Sequence, residues 1–231
     1  MTDTIPETAA AIDAAWMDAA LRAGGLDTTA HVVAVHPEAV NEAVGLMGEI
    51  TRFRLEWDEP GEGRPDRVIA KLPSALPENR ELALAMGYYE FEHRFYTEVA
   101  DGCSMRTPRV WYSTGDAGSG RYALLIEDLG ELERVDQMDG ADLDHAAAVV
   151  DALADLHAQW WGSPRLGDHA WLPDGLGDEV RVYGDLCRGS WPTDPQSKTT
   201  GRPSSKCMLS IRKSRCTRVC GASRLRSIIV S

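Results

Sequence analysis

One lysine and one glutamate have the residue types and surroundings that phosphate binding requires. Lys71 ends the apolar run Val68-Ile69-Ala70, which is typical of a buried strand. A lysine there can reach a cleft and neutralise nucleotide phosphates, although a lysine in isolation is more typical of the solvated surface. At 100° per residue of helix, Glu92 borders the apolar face and Glu90 points to water. Glu92 is therefore a candidate partner for Lys71, and the alternative is a solvated side chain.

A second candidate site follows the apolar strand Ala123–Ile126. Glu127, Asp128 and Leu129 come directly after it and indicate a chain that leaves a sheet edge. Free backbone groups at such a point can hydrogen-bond a planar base such as adenine. The alternative is an ordinary strand end with polar residues.

Apolar periodicity predicts the strands that position these groups. Five strands are predicted, at about residues 31–35, 50–57, 68–73, 109–112 and 121–126. Gly45 and Gly48 lie in a short turn between the first two. Ile50 is out of phase with Phe53, so the two side chains should point to opposite faces of the sheet.

Three helices are predicted from apolar residues at helical spacing. They cover residues 12–23, ended by Gly24-Gly25, then one long helix from Pro77 to about Val99, and residues 142–161, ended by Gly162. Together with the strands, they predict an α+β fold with a five-stranded antiparallel sheet and a long helix, followed by the first helices of a helical lobe.

Four stretches share their order and spacing with a known group of kinases. They are Val68-Ile69-Ala70-Lys71-Leu72-Pro73, Glu92-His93-Arg94-Phe95-Tyr96, Leu124-Leu125-Ile126-Glu127-Asp128-Leu129, and Leu153-Ala154-Asp155-Leu156-His157-Ala158-Gln159-Trp160-Trp161. Together they resemble the aminoglycoside phosphotransferase and choline kinase-like superfamily, a protein kinase-like group, and most of all its ecdysteroid-kinase-like branch. The likeness covers about residues 28 to 193.

The resemblance implies a protein kinase-like N-terminal lobe that uses ATP and Mg²⁺. Lys71 would contact the α- and β-phosphates, and Glu92 would be its ion-pair partner. The residues Glu127–Leu129 would form the hinge against adenine. The turn around Gly45 and Gly48 would cover the phosphates.

The sequence departs from this family where phosphoryl transfer would be catalysed. Members carry a His-x-Asp loop whose Asp is the base, an Asn five residues later, and a further Asp for magnesium. The segment Val182–Leu186 contains Asp185, but Tyr183 replaces the His and Ser190 stands where the Asn is required. No catalytic residue and no metal ligand is therefore assigned.

The formal net charge of −12 is unevenly divided along the chain. The 38 residues after position 193 carry nine basic and one acidic side chain, a net charge of +8, which leaves −20 for the first 193 residues. An acidic body argues against a specific nucleic-acid partner. No apolar run reaches the ~20 residues of a membrane helix, and the two cysteines of the first 193 residues, Cys103 and Cys187, are too few for a disulfide framework. These features predict a cytoplasmic protein.

Composition predicts four parts of the chain. They are a leading helix (1–27), a kinase-like N-lobe with hinge (28–130), a truncated helical C-lobe (131–193) and a basic tail (194–231). The tail has no aromatic residue and no apolar period, so it cannot build a core. It is typical of a foreign or frame-shifted sequence, and the competing interpretation is a genuine disordered basic tail.

The expected function is that of an ATP-dependent phosphotransferase for a small-molecule hydroxyl, in a truncated and inactive form. The alternative is a noncatalytic nucleotide-binding or protein-interaction module whose basic tail contacts an acidic surface. Without most of a second lobe, the apolar stripe of Val149, Leu153, Leu156 and Trp160 should stay partly uncovered, which predicts self-association. Nothing in the residues identifies the phosphate acceptor.

Overall fold

The computed structural model describes residues 4–38, 47–130, 132 and 140–172. Its five-stranded antiparallel sheet has the order β1-β2-β3-β5-β4. The strands are β1 (Val32–Glu38), β2 (Gly48–Trp57), β3 (Arg67–Pro73), β4 (Val110–Asp116) and β5 (Arg121–Glu127). The described helices are α1 (Ala14–Ala23), α2 (Pro77–Ala85), α3 (Tyr88–Glu98) and α4 (Leu143–Trp160). These elements confirm the predicted α+β class and its five antiparallel strands.

The strand register decides which side chains share a face of the sheet. Lys71 on β3 lies opposite Ile50 on β2 and Leu124 on β5. Directly opposed residues of antiparallel strands point to the same side, so these three share one face, and Phe53 lies on the other. Phe53 is 1% exposed and Ile50 is 36% exposed. The predicted phase difference between Ile50 and Phe53 is therefore confirmed.

Helix α1 covers the Phe53 face of the sheet. Asp13 caps the helix because its side chain accepts a hydrogen bond of 2.8 Å from a backbone N–H of the first turn. Met17 and Leu21 are fully buried and belong to the same apolar cluster as Phe53. The helix begins two residues later than predicted and ends, as predicted, at Gly24-Gly25.

The single long helix predicted over residues 77–99 is wrong, because Gly87 interrupts it. Gly87 has a φ of +71°, a left-handed conformation that favours glycine and separates α2 from α3. The ring of Phe91 would also lie 2.9 Å from an added Cβ at this position. The break changes which residues are buried: Leu84 of the predicted stripe is 38% exposed, whereas Tyr89 is 8% exposed.

Helix α3 lies on the face of the sheet that carries Lys71. Tyr96 packs against the buried side chains of Ile69 and Leu124. His93 Nδ1 lies 2.7 Å from the hydroxyl of Ser113 on β4, which ties the helix to the edge of the sheet. Burial lowers the pKa of His93, so its ring is neutral near pH 7.

Helix α4 confirms the helix predicted at residues 142–161. It is followed by Gly162, whose φ of +66° ends it in a left-handed conformation. Leu156 is 2% exposed, but Val149 and Val150 are 58% and 62% exposed. The apolar stripe is thus uncovered towards the beginning of the helix, and self-association through it stays a prediction.

The described residues fall into two compact units, residues 4–159 and residues 160–172. In the second unit, the rings of Trp160 and His169 meet edge to face, with centroids 5.7 Å apart. The guanidinium of Arg165 lies 5.0 Å from the centroid of the Trp160 ring. Among the described helices, none combines the length and the apolar character that a bilayer span requires.

Asp18 on α1 fixes the beginning of β1. Its carboxylate accepts hydrogen bonds from Arg22 Nε and from the backbone N–H of Val32, both at 3.0 Å, and lies 3.0 Å from His31 Nδ1. Burial by itself would raise the pKa of Asp18, but the hydrogen bonds outweigh burial and lower that pKa. The folded state therefore prefers the ionised carboxylate more than the unfolded state does.

We expect Asp18→Asn to destabilise the fold near neutral pH but hardly at all in acid. A lowered folded-state pKa stabilises the fold fully above the unfolded value of ~3.9, and the contribution is lost as the pH falls through the folded-state value. Urea unfolding should give a deficit of about 1–2 kcal/mol at neutral pH, shrinking towards zero near pH 3. Asp27→Asn, which changes an exposed carboxyl in the same connection, is the control. A deficit that does not depend on pH would contradict the linkage.

Candidate functional site

Lys71 on β3 and Glu92 on α3 form an ion pair in the space between the sheet and the helix, which we call the cleft. The Lys71 ammonium donates a hydrogen bond to Oε1 of Glu92, and the two side chains are 21% and 30% exposed. Glu90, on the same helix, contacts Arg94 instead. The sequence expectation that Glu92, and not Glu90, faces Lys71 agrees with this geometry. An ammonium held at the end of a buried strand, with part of its surface open, can contact an anionic ligand.

Lys71 is unusual within this chain. The sequence contains four lysines, and the other three follow residue 197. The first 197 residues otherwise use arginine and histidine for positive charge. An ammonium is a compact point charge with rotatable donors, whereas a guanidinium is a rigid planar fork. The use of lysine at the position next to Glu92 therefore favours a specific role for the ammonium.

The structure describes one of the two glycines predicted to cover phosphates. Gly48 begins β2, and the carbonyl oxygen of Leu72 would lie 3.0 Å from an added Cβ. Gly45 lies outside the described residues. The absence of a side chain at Gly48 lets β2 approach the end of β3 closely, next to Lys71.

Tyr89 connects helix α3 to both strand ends that border this part of the cleft. Its hydroxyl donates to the carbonyl oxygen of Met47 at 2.5 Å and accepts from the backbone N–H of Ser74 at 3.0 Å. Met47 precedes β2, and Ser74 follows β3. Burial raises the pKa of Tyr89, which keeps the hydroxyl protonated and able to donate. No sequence pattern predicts this contact, because a continuous helix would have placed Tyr89 away from the apolar stripe.

Glu127 turns its side chain towards the segment before β4. Oε1 accepts a hydrogen bond from Arg106 and Oε2 from the backbone N–H of Arg109, each at 3.0 Å. The Glu127 N–H donates to the carbonyl oxygen of Arg109 at 2.8 Å. The carboxylate of this predicted hinge residue therefore fastens the end of β5 to its neighbour and is committed to that contact.

Asp128 turns the other way and pairs with an arginine that sequence reasoning missed. Arg52 Nε lies 2.7 Å from Asp128 Oδ2, and Arg52 Nη2 lies 3.0 Å from Oδ1. This bidentate pair is among the stronger kinds of protein hydrogen bond. The two residues are 76 positions apart, so no local pattern links them. The one sequence feature that could have indicated this pair is that Arg52 shares a strand face with Ile50.

Leu129 follows the end of β5 and has part of its surface exposed. Its carbonyl oxygen accepts a hydrogen bond of 2.9 Å from the N–H of Leu132. No described residue accepts a hydrogen bond from the backbone N–H of Leu129. That N–H fits the expectation of a backbone donor beyond β5.

Metal ligands and a separate cavity are the two other features that bear on ligand binding. Within the described ranges, no three His, Cys, Asp or Glu side chains are grouped so that they could hold a metal ion. A cavity of about 230 Å³ lies between the start of α3 and the turn joining β4 to β5, beside Tyr89 and Tyr122. None of the predicted site residues lines it.

Comparison with protein-family models, with curated proteins and with solved structures finds no match to this chain. The geometry of the described residues therefore stands by itself as support for a function.

Proposed function

We propose that residues 28–130 are the nucleotide-binding lobe of an ATP-dependent phosphotransferase whose relatives phosphorylate a hydroxyl group of a small molecule. The observation that carries this proposal is the ion pair between Lys71 and Glu92 across the cleft. The order of the motifs, which resembles the aminoglycoside phosphotransferase and choline kinase-like superfamily, supports it.

Triphosphate binding needs positive charge that is fixed in place. The ammonium of Lys71 supplies the charge, and Glu92 restricts its position, so less rotamer entropy is lost when an anion binds. Gly48 brings the backbone of β2 close to the same point. In this proposal, the backbone N–H of Leu129, beyond the other end of the strands, would donate to the base.

Phosphoryl transfer is not assigned to this chain. No histidine in the sequence is followed two residues later by an aspartate, and in the resembling family that aspartate is the base that accepts the hydroxyl proton. The same observation favours the second candidate function, a noncatalytic module that binds nucleotide. Both candidates place the nucleotide at Lys71.

We expect Lys71→Met to weaken ATP binding at least about tenfold, the factor that ~1.4 kcal/mol produces. Isothermal titration calorimetry on the whole chain measures this, with and without Mg²⁺. Arg94→Met is the matched control, because it removes one positive charge from a partly exposed side chain of α3 that pairs with Glu90 and Glu98, and it should leave the affinity within about twofold. Equal affinities of the wild type and Lys71→Met would exclude the proposed site.

Lysine acetylation gives an independent measurement on the same chain. Because the other three lysines follow residue 197, peptide mass spectrometry after limited N-hydroxysuccinimide acetate treatment assigns modification at Lys71 without overlap. ATP should slow the acetylation of Lys71 and leave that of Lys198 and Lys206 unchanged. Protection of all lysines alike would indicate nonspecific binding of a polyanion.

A further inference from the structure

We propose that Arg52, locked by Asp128, stacks on the base of the bound nucleotide and so forms the base-contacting wall of the cleft. This inference rests on the proposed function, because it requires ATP to bind with its phosphates at Lys71. It adds that the base of ATP contacts Arg52.

The strand register places Arg52 in the cleft. Arg52 on β2 lies opposite Ile69 on β3, and Ile69 lies opposite Ile126 on β5. The row Arg52–Ile69–Ile126 therefore crosses three strands on the face that carries Lys71. Ile69 precedes Lys71 by two residues, a separation of roughly 7 Å along the strand. A sugar unit between phosphate and base spans a gap of this size.

In the row Arg52–Ile69–Ile126, the side chains on β3 and β5 are apolar and the side chain on β2 is polar. Ile69 and Ile126 are 9% and 8% exposed and pack with Tyr96. The side chain of Arg52 is 24% exposed. On β2, Ile50 shares this face and is 36% exposed. Accessible surface for a ligand on this face thus lies along β2, where Arg52 presents a planar guanidinium next to Ile69.

The ion pair converts Arg52 from a free charge into a fixed flat surface. Asp128 occupies Nε and Nη2 of the guanidinium and also accepts a hydrogen bond of 2.9 Å from the N–H of Gly130. The carboxylate neutralises the guanidinium, so the pair has no net charge with which to attract a phosphate. A guanidinium plane stacks on aromatic rings and on nucleic-acid bases. The chemistry of the pair therefore suits a base better than a triphosphate.

Gly130, in the segment after β5, lets the backbone approach the Arg52–Asp128 pair closely. An added Cβ at Gly130 would lie 2.3 Å from Nη2 of Arg52 and 3.0 Å from Oδ1 of Asp128. The backbone beyond β5 thus lies directly against the guanidinium. Burial by itself would raise the pKa of Asp128, but the hydrogen bonds from Arg52 and Gly130 lower it and keep the carboxylate ionised.

The test compares ATP with inorganic tripolyphosphate, which has the phosphates but no base. Calorimetry on the whole chain should show that Arg52→Met weakens ATP binding about fivefold or more and changes tripolyphosphate binding less than about twofold. Arg52→Lys keeps the charge but not the plane, and should bind ATP as weakly as Arg52→Met. Arg54→Met is the matched control, because Arg54 lies two residues along the same strand in exposed ion pairs, and it should change neither affinity.

The double variant Arg52→Met/Asp128→Asn removes the carboxylate left unpaired in the single variant. Its ATP deficit should persist. Restored ATP affinity in the double variant or in Arg52→Lys would overturn base stacking in favour of simple charge, as would equal losses for ATP and tripolyphosphate. A wild type that binds both ligands, with Arg52→Met unchanged, would leave the proposed function standing and refute only the base contact. A wild type that binds neither ligand would refute both.

Discussion

Phe53→Ala should lower the free energy of unfolding by about 4 kcal/mol, the range measured when a buried phenylalanine is truncated. Phe53 is 1% exposed in the cluster between α1 and the sheet. It lies opposite Val68 on β3 and Pro37 on β1, so strands on both sides would have to move to fill the cavity. Backbone hydrogen bonds resist that movement, and the cavity should persist.

Ile50→Ala on the same strand is the control for this measurement. Ile50 points to the cleft face and is 36% exposed, so its truncation should cost less than about 1 kcal/mol. Urea unfolding of the two variants gives the comparison. Similar losses for both would mean that the cleft face of β2 is as well packed as the core face, which would leave no room there for a ligand.

Gly24→Ala should destabilise the fold by about 3 kcal/mol, the upper part of the range for forced overpacking. The carbonyl oxygen of Trp111 would lie 1.6 Å from the added Cβ, and the Cα of Tyr112 would lie 3.2 Å from it. These are backbone atoms of β4, which no rotamer change can displace. The end of α1 would have to move away from the sheet and open the cluster around Leu21.

The control for Gly24→Ala is Gly167→Ala. No neighbouring atom lies within 4 Å of a Cβ added at Gly167, so this variant reports the general effect of replacing glycine by alanine. Thermal and urea unfolding should show Gly167→Ala within about 1 kcal/mol of the wild type. Wild-type stability of Gly24→Ala would show that α1 packs less closely against β4 than described.

Most of the sheet could be predicted from the sequence because strand signals are local. Alternation of Phe53 with Arg52 and the short apolar runs of β3 and β5 identify strands without knowledge of their partners. The break at Gly87 was missed for a related reason. The apolar residues keep helical spacing across residues 84–99, so no pattern in the sequence marks the break. Only the left-handed conformation of one glycine shows that the two halves are separate helices.

The residues of the candidate site also differ in how far local patterns predict them. Lys71 and Glu92 were predictable because the end of a strand and the border of a helix face are both periodic features. The pair of Arg52 and Asp128 was not, because it depends on the sheet order that brings β2 and the end of β5 near each other. Glu127 shows the limit of a motif: its position in the chain fits a hinge, but its carboxylate is used by Arg106 and Arg109.

Tyr89 and Glu92 lie about one turn apart on α3. The Tyr89 hydroxyl contacts the backbone of Met47, and Glu92 contacts Lys71. A shift of this helix about Gly87 that separates Glu92 from Lys71 would also draw the Tyr89 hydroxyl away from Met47 and Ser74. One helix thus contacts both Lys71 and the backbone of Met47, so we expect the positions of these two groups to be coupled. A ligand or contact that holds Met47 against the Tyr89 hydroxyl should therefore also favour the ion-paired position of Lys71.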